Sequence, residues 1–388
     1  MMQYNFDQEI DRHQTFSTQW DYIEDRFGRN DILPFSISDT DFPVSDEILA
    51  ALKKRMAHPI FGYTRWNHQA YKGSIKSWFE RDPEVTVAED WLVYSPSVVY
   101  TIGVLIRLMS NPDDAVATFT PMYDAFFNTI TANHRQLATI PIQGADQDND
   151  ISWEIMASVL ADEKTKILLL TNPHNPTGHL FSEAELKRIV ALCQEHRVFI
   201  ISDDIHRDII IGEQQYVPIT KITTDNVALC CSNTKTFNTP GLIGAYAMIP
   251  NQQLREQYLE TLKQKDALSS ASIFGVESTI ASYTGSANYV KELNSYLKEN
   301  YQILANFFAQ ELPELEFKIP DATYLAWINV AKLNLSSDEL QAKLVNVGHV
   351  GIMAGSVYGD SRYIRMNIGC PKSKLIEGLR RMKVALRS

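Results

Sequence analysis

The middle of the chain alternates short, unbroken apolar runs with helix-like stretches, and no other feature constrains its fold as tightly. Residues 166–171 (Lys-Ile-Leu-Leu-Leu-Thr) put apolar side chains on both sides of the pleat, which reads as a strand buried on both faces. Ser182 and Glu185 then stand at capping-box spacing, Ser182 as N-cap and Glu185 reaching back. The helix they open places Leu186, Ile189, Val190 and Cys193 on one face, at i, i+3, i+4 and i+7. Residues 197–202 (Arg-Val-Phe-Ile-Ile-Ser) and 227–232 (Val-Ala-Leu-Cys-Cys-Ser) read as further strands. Unbroken apolar strands separated by amphipathic helices predict an α/β fold with a mainly parallel sheet covered on both faces. In such sheets ligands gather at the carboxyl ends of the strands, so functional residues should follow strands rather than precede them.

A second region begins after about residue 285. A long helical stretch (289–310) leads to Pro313. A strand (323–329), a helix (337–347), a strand (362–368) and a terminal helix (374–386) follow, the pattern of a smaller α/β domain. The 388 residues suffice for two domains and a large core. A net charge of −11 argues against nucleic acid or an anionic membrane as partner. Residues 1–9 lack the basic-then-apolar order of a signal peptide, and no apolar run approaches a membrane span. Cys193, Cys230, Cys231 and Cys370 form no CxxC pair, which reads as reduced, buried thiols of a cytoplasmic protein.

The strand ends carry unusual residues. Residues 91–94 are followed by Ser95-Pro96-Ser97-Val98-Val99, opening an apolar helix. Free N–H groups there can hold a phosphate, although an ordinary capped helix has the same pattern. Residues 115–119 are followed by Tyr123, whose ring could stack on a flat cofactor or simply fill core. The turn Asn172-Pro173-His174-Asn175-Pro176-Thr177-Gly178 presents side-chain amides at fixed angles, and Asn175 could donate to a phenolate oxygen. Asp203 ends a buried run and needs a cation, for which a protonated pyridine nitrogen would serve. Asp203, Asp204 and His206 could instead bind a divalent metal, but no second cluster of hard oxygens accompanies them, and a zinc pair of His174 and His206 is weaker still. Lys235 follows the 227–231 run amid hydroxyl residues, placed to form a Schiff base with a carbonyl, as pyridoxal phosphate (PLP) requires; a loop lysine is the plain alternative. In residues 363–368, alternation puts Ile364, Met366 and Ile368 on one face and Arg365 on the other, where its fork suits a carboxylate or a surface ion pair.

Asn-Pro-His-Asn-Pro-Thr-Gly (172–178), Ser-Asp-Asp-Ile-His (202–206) and Ser-Asn-Thr-Lys-Thr-Phe-Asn (232–238) occur in order, with Phe-Gly-Tyr-Thr (61–64) before them and Tyr-Ile-Arg-Met-Asn (363–367) after. Over nearly its whole length the chain resembles the cystathionine β-lyase (C–S lyase) branch of fold-type-I PLP enzymes, relatives of class I and II aminotransferases. The resemblance implies an aspartate aminotransferase-like fold. Residues 1–48 would pack with the small domain, 49–285 would form a PLP-binding domain on a mainly parallel seven-stranded sheet, and 286–388 would form the small domain. It implies that Lys235 forms the Schiff base and acts as general base at Cα, and that Asp203 pairs with the pyridine nitrogen. Asn175 would bind the phenolic oxygen with His206 in support, and Tyr123 would stack on the ring. The phosphate would sit on the amides of Val98 and Val99 and the hydroxyl of Ser232, with Tyr63 reaching it from the partner subunit of a homodimer with shared active sites. Arg365 would bind the substrate α-carboxylate, with the backbone of Ser38 beside it.

The implied reaction is β-elimination from an S-substituted L-cysteine, cystathionine giving homocysteine, pyruvate and ammonia. An aminotransferase would use the same residues, and a PLP-binding regulatory protein is a further alternative. No metal site is expected. Ser97 stands where the family usually has glycine, Asp204 where glutamate is common and Arg207 where a small residue is common; Ser97 and Arg207 could reshape the phosphate loop or the site entrance.

Overall fold

The computed structural model describes residues 3–142 and 151–388; the first two residues of the expected N-terminal segment lie outside them. Its strands, in chain order, are β1 (Leu33–Pro34), β2 (Leu92–Ser95), β3 (Ala115–Thr120), β4 (Gln136–Pro141), β5 (Thr165–Thr171), β6 (Phe199–Asp203), β7 (Val227–Cys231), β8 (Ala245–Met248), β9 (Leu325–Asn329), β10 (Val350–Gly351), β11 (Met353–Ala354) and β12 (Tyr363–Asn367).

β2-β8-β7-β6-β5-β3-β4 form one seven-stranded sheet. All neighbours in it pair parallel except β8, which runs against both β2 and β7. Every residue of β6, β7 and β8 is buried, so both faces of the sheet centre are covered. The helix Val98–Met109 crosses the sheet against β2 and β5 to β8. The helix Glu183–His196 starts at the expected capping box of Ser182 and Glu185, and Leu186, Ile189, Val190 and Cys193 are its buried face. The register sets Thr171, Asp203 and Cys230 side by side, so β5, β6 and β7 end at one level.

Ser286 separates two helices, Ile273–Gly285 and Ala287–Glu311. Beyond them β11-β12-β9 make a small antiparallel sheet. The N-terminal segment joins this end of the chain: β1 pairs parallel with β10. Phe35 lies against the helix Lys372–Arg387 where Gly378 leaves no room for a side chain, since a Cβ there would stand 2.3 Å from the Phe35 ring. Among the described residues no helix is long and apolar enough to cross a membrane.

Candidate active site

A cavity of about 270 Å³ opens at the carboxyl edge of the large sheet. Ser38, Val98, Val99, Tyr123, Asn175, Asp203, His206, Ser232 and Lys235 all line it. The strand-end rule therefore gathers side chains from turns and helix starts spread over nearly two hundred residues of sequence into one place.

Local chemistry explains each position. Ser97 caps the helix Val98–Met109 by accepting from the Tyr100 N–H at 3.1 Å. That leaves the N–H groups of Val98 and Val99, in the first turn, without intrahelical partners and beside the cavity. Ser97 has φ −157°, extended backbone, so the glycine of related chains is not needed here. The Asn-Pro turn after β5 is tied by His174, whose Nδ1 lies 2.8 Å from the Thr177 hydroxyl, and by the Gly178 N–H donating to the His174 carbonyl at 2.8 Å. Gly178 has φ +71°, and a Cβ there would meet Pro320 at 2.5 Å and the Ala322 carbonyl at 2.7 Å, which explains the final glycine of the motif. Burial pushes the His174 imidazole down to about 3, so it is a neutral structural ring.

Asp203 is 4% exposed and has no ion-pair partner among the described residues; its Oδ1 accepts from the Ile205 N–H at 3.1 Å. Burial pushes its carboxyl up to about 7, with the neighbouring Asp204 adding to the shift. Asp204 is likewise pushed to about 7 by burial, but accepts from the hydroxyls of Ser202 and Tyr216. Alternation along the chain end thus gives one aspartate to the cavity and the other to the protein interior. His206 is held neutral by burial, down to about 3, and its Nδ1 has no hydrogen-bond partner. Burial also lowers the Lys235 amine to about 8; Arg365 adds to the shift, and Asp39 and Asp203 oppose it. Lys235 Nζ donates to the Ser38 carbonyl at 2.6 Å.

Arg365 is 3% exposed. It donates from Nη1 to Asn175 Oδ1 at 3.0 Å and from Nη2 to the Ser36 carbonyl at 3.0 Å, while Nε is unpartnered. Its guanidinium lies 4.3 Å from the Tyr358 ring centroid. Contact with the N-terminal segment thus falls on Ser36, with Ser38 facing Lys235 instead. Tyr63 stands apart from the cavity lining and is 99% exposed, in an irregular stretch with exposed Ile60 and Phe61. Arg207 does not line this cavity either.

Sequence reasoning missed the residues that pin residues 36–42 over the cavity. Tyr324 donates its hydroxyl to the Ser38 carbonyl at 3.0 Å. Asn367 Nδ2 reaches the carbonyls of Ile37 and Asp39, both at 2.5 Å, and Asn238 Nδ2 those of Thr40 and Phe42, both at 2.8 Å. Asn238 and Asn367 close the two downstream motifs, and an amide ending a motif was the available signal. Among the described residues no group of His, Cys, Asp and Glu is arranged to hold a metal.

A partly buried lysine and an unpaired buried carboxylate on one cavity, with a half-satisfied guanidinium bonded to Asn175 of its wall, suit a cofactor that combines a carbonyl, a ring cation and an anionic tail. Comparison with known proteins agrees. The chain is 38% identical to protein MalY of Escherichia coli (strain K12), over 99% of each chain. It is 32% identical to cystathionine beta-lyase PatB of Bacillus subtilis (strain 168), over 98% of this chain and 100% of that one. The PLP-bound C-S lyase of Staphylococcus hominis superposes with a TM-score of 0.93 at 28% identity, covering 99% of this chain and 98% of that one. The model of the family described as aminotransferase class I and II matches residues 30–382, and the chain belongs to that family.

Proposed function

We propose that this chain is a PLP-dependent carbon–sulfur β-lyase acting on S-substituted L-cysteines, cystathionine among them. The observation that carries the reading is the convergence of Lys235, Asp203 and Asn175 on one cavity at the carboxyl edge of the sheet, with Arg365 bonded to Asn175 just behind its wall. The residues present fit PLP: Asp203 lacks a cation, His206 Nδ1 and Arg365 Nε lack partners, and helix N–H groups face the cavity. The names of the MalY, PatB and C-S lyase relatives support the same choice.

PLP, when bound, supplies a carbonyl that condenses with amines and a conjugated ring that accepts the electron pair left at Cα. Asp203 would hold a proton at the ring nitrogen, and its buried charge would be satisfied by that cation. Asn175 would donate from Nδ2 to the phenolic oxygen, because its Oδ1 is already committed to Arg365. Val98 and Val99 N–H groups and the Tyr63 hydroxyl of a partner subunit would hold the phosphate, joined by the Ser232 hydroxyl once it turns from the Gly244 carbonyl to which it donates at 2.6 Å, and Tyr123 would cover the ring. Arg365 fixes the substrate carboxylate, and Lys235, once its amine is free, takes the Cα proton at Nζ. With that electron pair accepted, the C–S bond would break, the thiolate would take its proton from Lys235 Nζ, and water would complete the products as pyruvate and ammonia.

A homodimer with Tyr63 shared across it is supported by the full exposure of that tyrosine beside exposed Ile60 and Phe61. The division into a large domain (49–285) and a small one (286–388) is supported by the helix break at Ser286. A cytoplasmic setting accords with four free, buried cysteines. The family match also supports an aminotransferase as second reading. Incubation with cystathionine and no keto acid separates the two: a lyase releases pyruvate and homocysteine, whereas turnover that needs an added keto acid would overturn the lyase reading. A protein that only senses the cofactor would bind PLP and turn over neither way.

A further inference from the structure

The residue that Lys235 touches, Ser38, is followed directly by an aspartate. Lys235 Nζ lies 2.6 Å from the Ser38 carbonyl oxygen, and one peptide link joins that carbonyl to Cα of Asp39. Covalent geometry alone keeps the Asp39 carboxyl within about 8 Å of Nζ, whatever its rotamer. Asp39 does not line the cavity, so it meets Lys235 by its field rather than by contact. Its position is fixed from two sides: its carbonyl accepts from Asn367 Nδ2 at 2.5 Å, and its Oδ2 from Arg12 Nη2 at 2.6 Å. Its Oδ1 is buried and has no hydrogen-bond partner among the described residues.

The cation on Asp39 is shared. Arg12 Nη1 donates to Asp41 Oδ1 at 2.9 Å and to the Thr40 carbonyl at 3.1 Å. Asp41 pairs with Lys374 as well, whereas Arg12 is the one ion-pair partner of Asp39 among the described residues. The other charges around Lys235 come from Asp203 at the end of β6 and Arg365 on β12; His206 and Tyr324 stand by as neutral groups. Asp208, which accepts from the neighbouring Thr236 hydroxyl, has Arg207 beside it at 3.7 Å. Burial lowers the Lys235 amine to about 8, and of the charges acting on it Asp39 is the strongest, in the opposite direction.

We propose that Asp39 and Arg12 set the proton affinity of Lys235 as an opposed pair, Asp39 favouring the ammonium and Arg12 moderating Asp39. The inference deepens the proposed function and rests on its use of Lys235. When Lys235 has taken a proton at Nζ, Asp39 answers the new charge from behind the segment that covers it. Arg12 keeps that answer weak enough for the proton to be given up again. Asp39 thus acts through Lys235 and is a positioning residue.

The test reads the amine itself. The full chain, stripped of cofactor, is labelled with trace acetic anhydride from about pH 6 to about pH 11, and acetylation of Lys235 is compared by mass spectrometry with that of exposed Lys54. Asp39→Asn moves the midpoint of Lys235 labelling down by about one pH unit, a tenfold change in proton affinity, and Arg12→Gln moves it up. Arg12→Lys keeps the charge and leaves the midpoint in place. If Asp39→Asn does not fold, the contrast between Arg12→Gln and Arg12→Lys carries the test. An unmoved midpoint in Asp39→Asn, shifts of one sign in Asp39→Asn and Arg12→Gln, or a shift in Arg12→Lys equal to that in Arg12→Gln would each overturn the assignment. Labelling needs no PLP, so a failure of borohydride to trap PLP on Lys235 would strike the proposed function and not these shifts.

Discussion

Arg365 on β12 donates from Nη1 to Oδ1 of Asn175, in the turn after β5, at 3.0 Å. The two residues are 190 apart in sequence; Arg365 lies in the small sheet, and Asn175 follows a strand of the large one. Because a guanidinium only donates, the bond fixes which way the amide faces and aims Asn175 Nδ2 away from Arg365. One contact thereby orients a cofactor donor and steadies the fork meant for a carboxylate.

Arg365→Ala should leave PLP bound and raise KM for cystathionine on the order of tenfold to a hundredfold, the worth of a charged hydrogen-bonding group. Steady-state kinetics with the cofactor absorbance as control measures this. Loss of the cofactor absorbance would mean that Arg365 serves mainly to hold the pocket together.

Lys235→Ala should lose the absorbance that borohydride otherwise traps, and turnover should fall on the order of 10²- to 10⁴-fold, the scale of a missing general base. A variant that still trapped cofactor on reduction would assign the Schiff base to another amine.

An amine attacks a carbonyl only when neutral. Burial sets Lys235 near 8, below the 10.5 of a free lysine. The neutral fraction therefore grows about tenfold per pH unit below that value and levels off above it. PLP uptake by cofactor-stripped protein should accelerate from about pH 6 to about pH 8 and then flatten. A rate still climbing at about pH 10 would describe an ordinary, solvated lysine.

Asp203 and Asp204 are both raised to about 7 by burial, from 3.8. Between those values the folded, cofactor-free protein binds more protons than the unfolded chain, so its stability falls as pH rises through that window. Denaturant midpoints of the stripped protein should show this decline. Asp203→Asn should flatten it, while Asp204 keeps a residual slope. An unchanged slope in the variant would remove Asp203 from the account.

Much of the sheet was legible because β5, β6 and β7 are buried on both faces and leave no ambiguity of period. β4 is an edge strand with half-exposed residues, and β8 has only four residues, so neither stood out. The strand-end rule found Asn175, Asp203 and Lys235 because it rests on sheet geometry alone. Tyr324, Asn238 and Asn367 escaped it: they act on backbone carbonyls 196 to 330 residues away, and nothing in the sequence records a carbonyl's partner. Arg207 stood out by type, but which side of its turn it faced was settled only by packing against Phe79 and Tyr216.

The two ends of the chain meet at Asn367, whose amide spans the carbonyls of Ile37 and Asp39. During synthesis Lys235 and Asp203 therefore leave the ribosome well before the residue that fastens the early segment over them. A growing chain that has not reached β12 holds the reactive amine but neither the fork for a carboxylate nor the Asn367 hold on Ile37 and Asp39. Synthesis of β12 is therefore a precondition for this chain to select what its lysine meets.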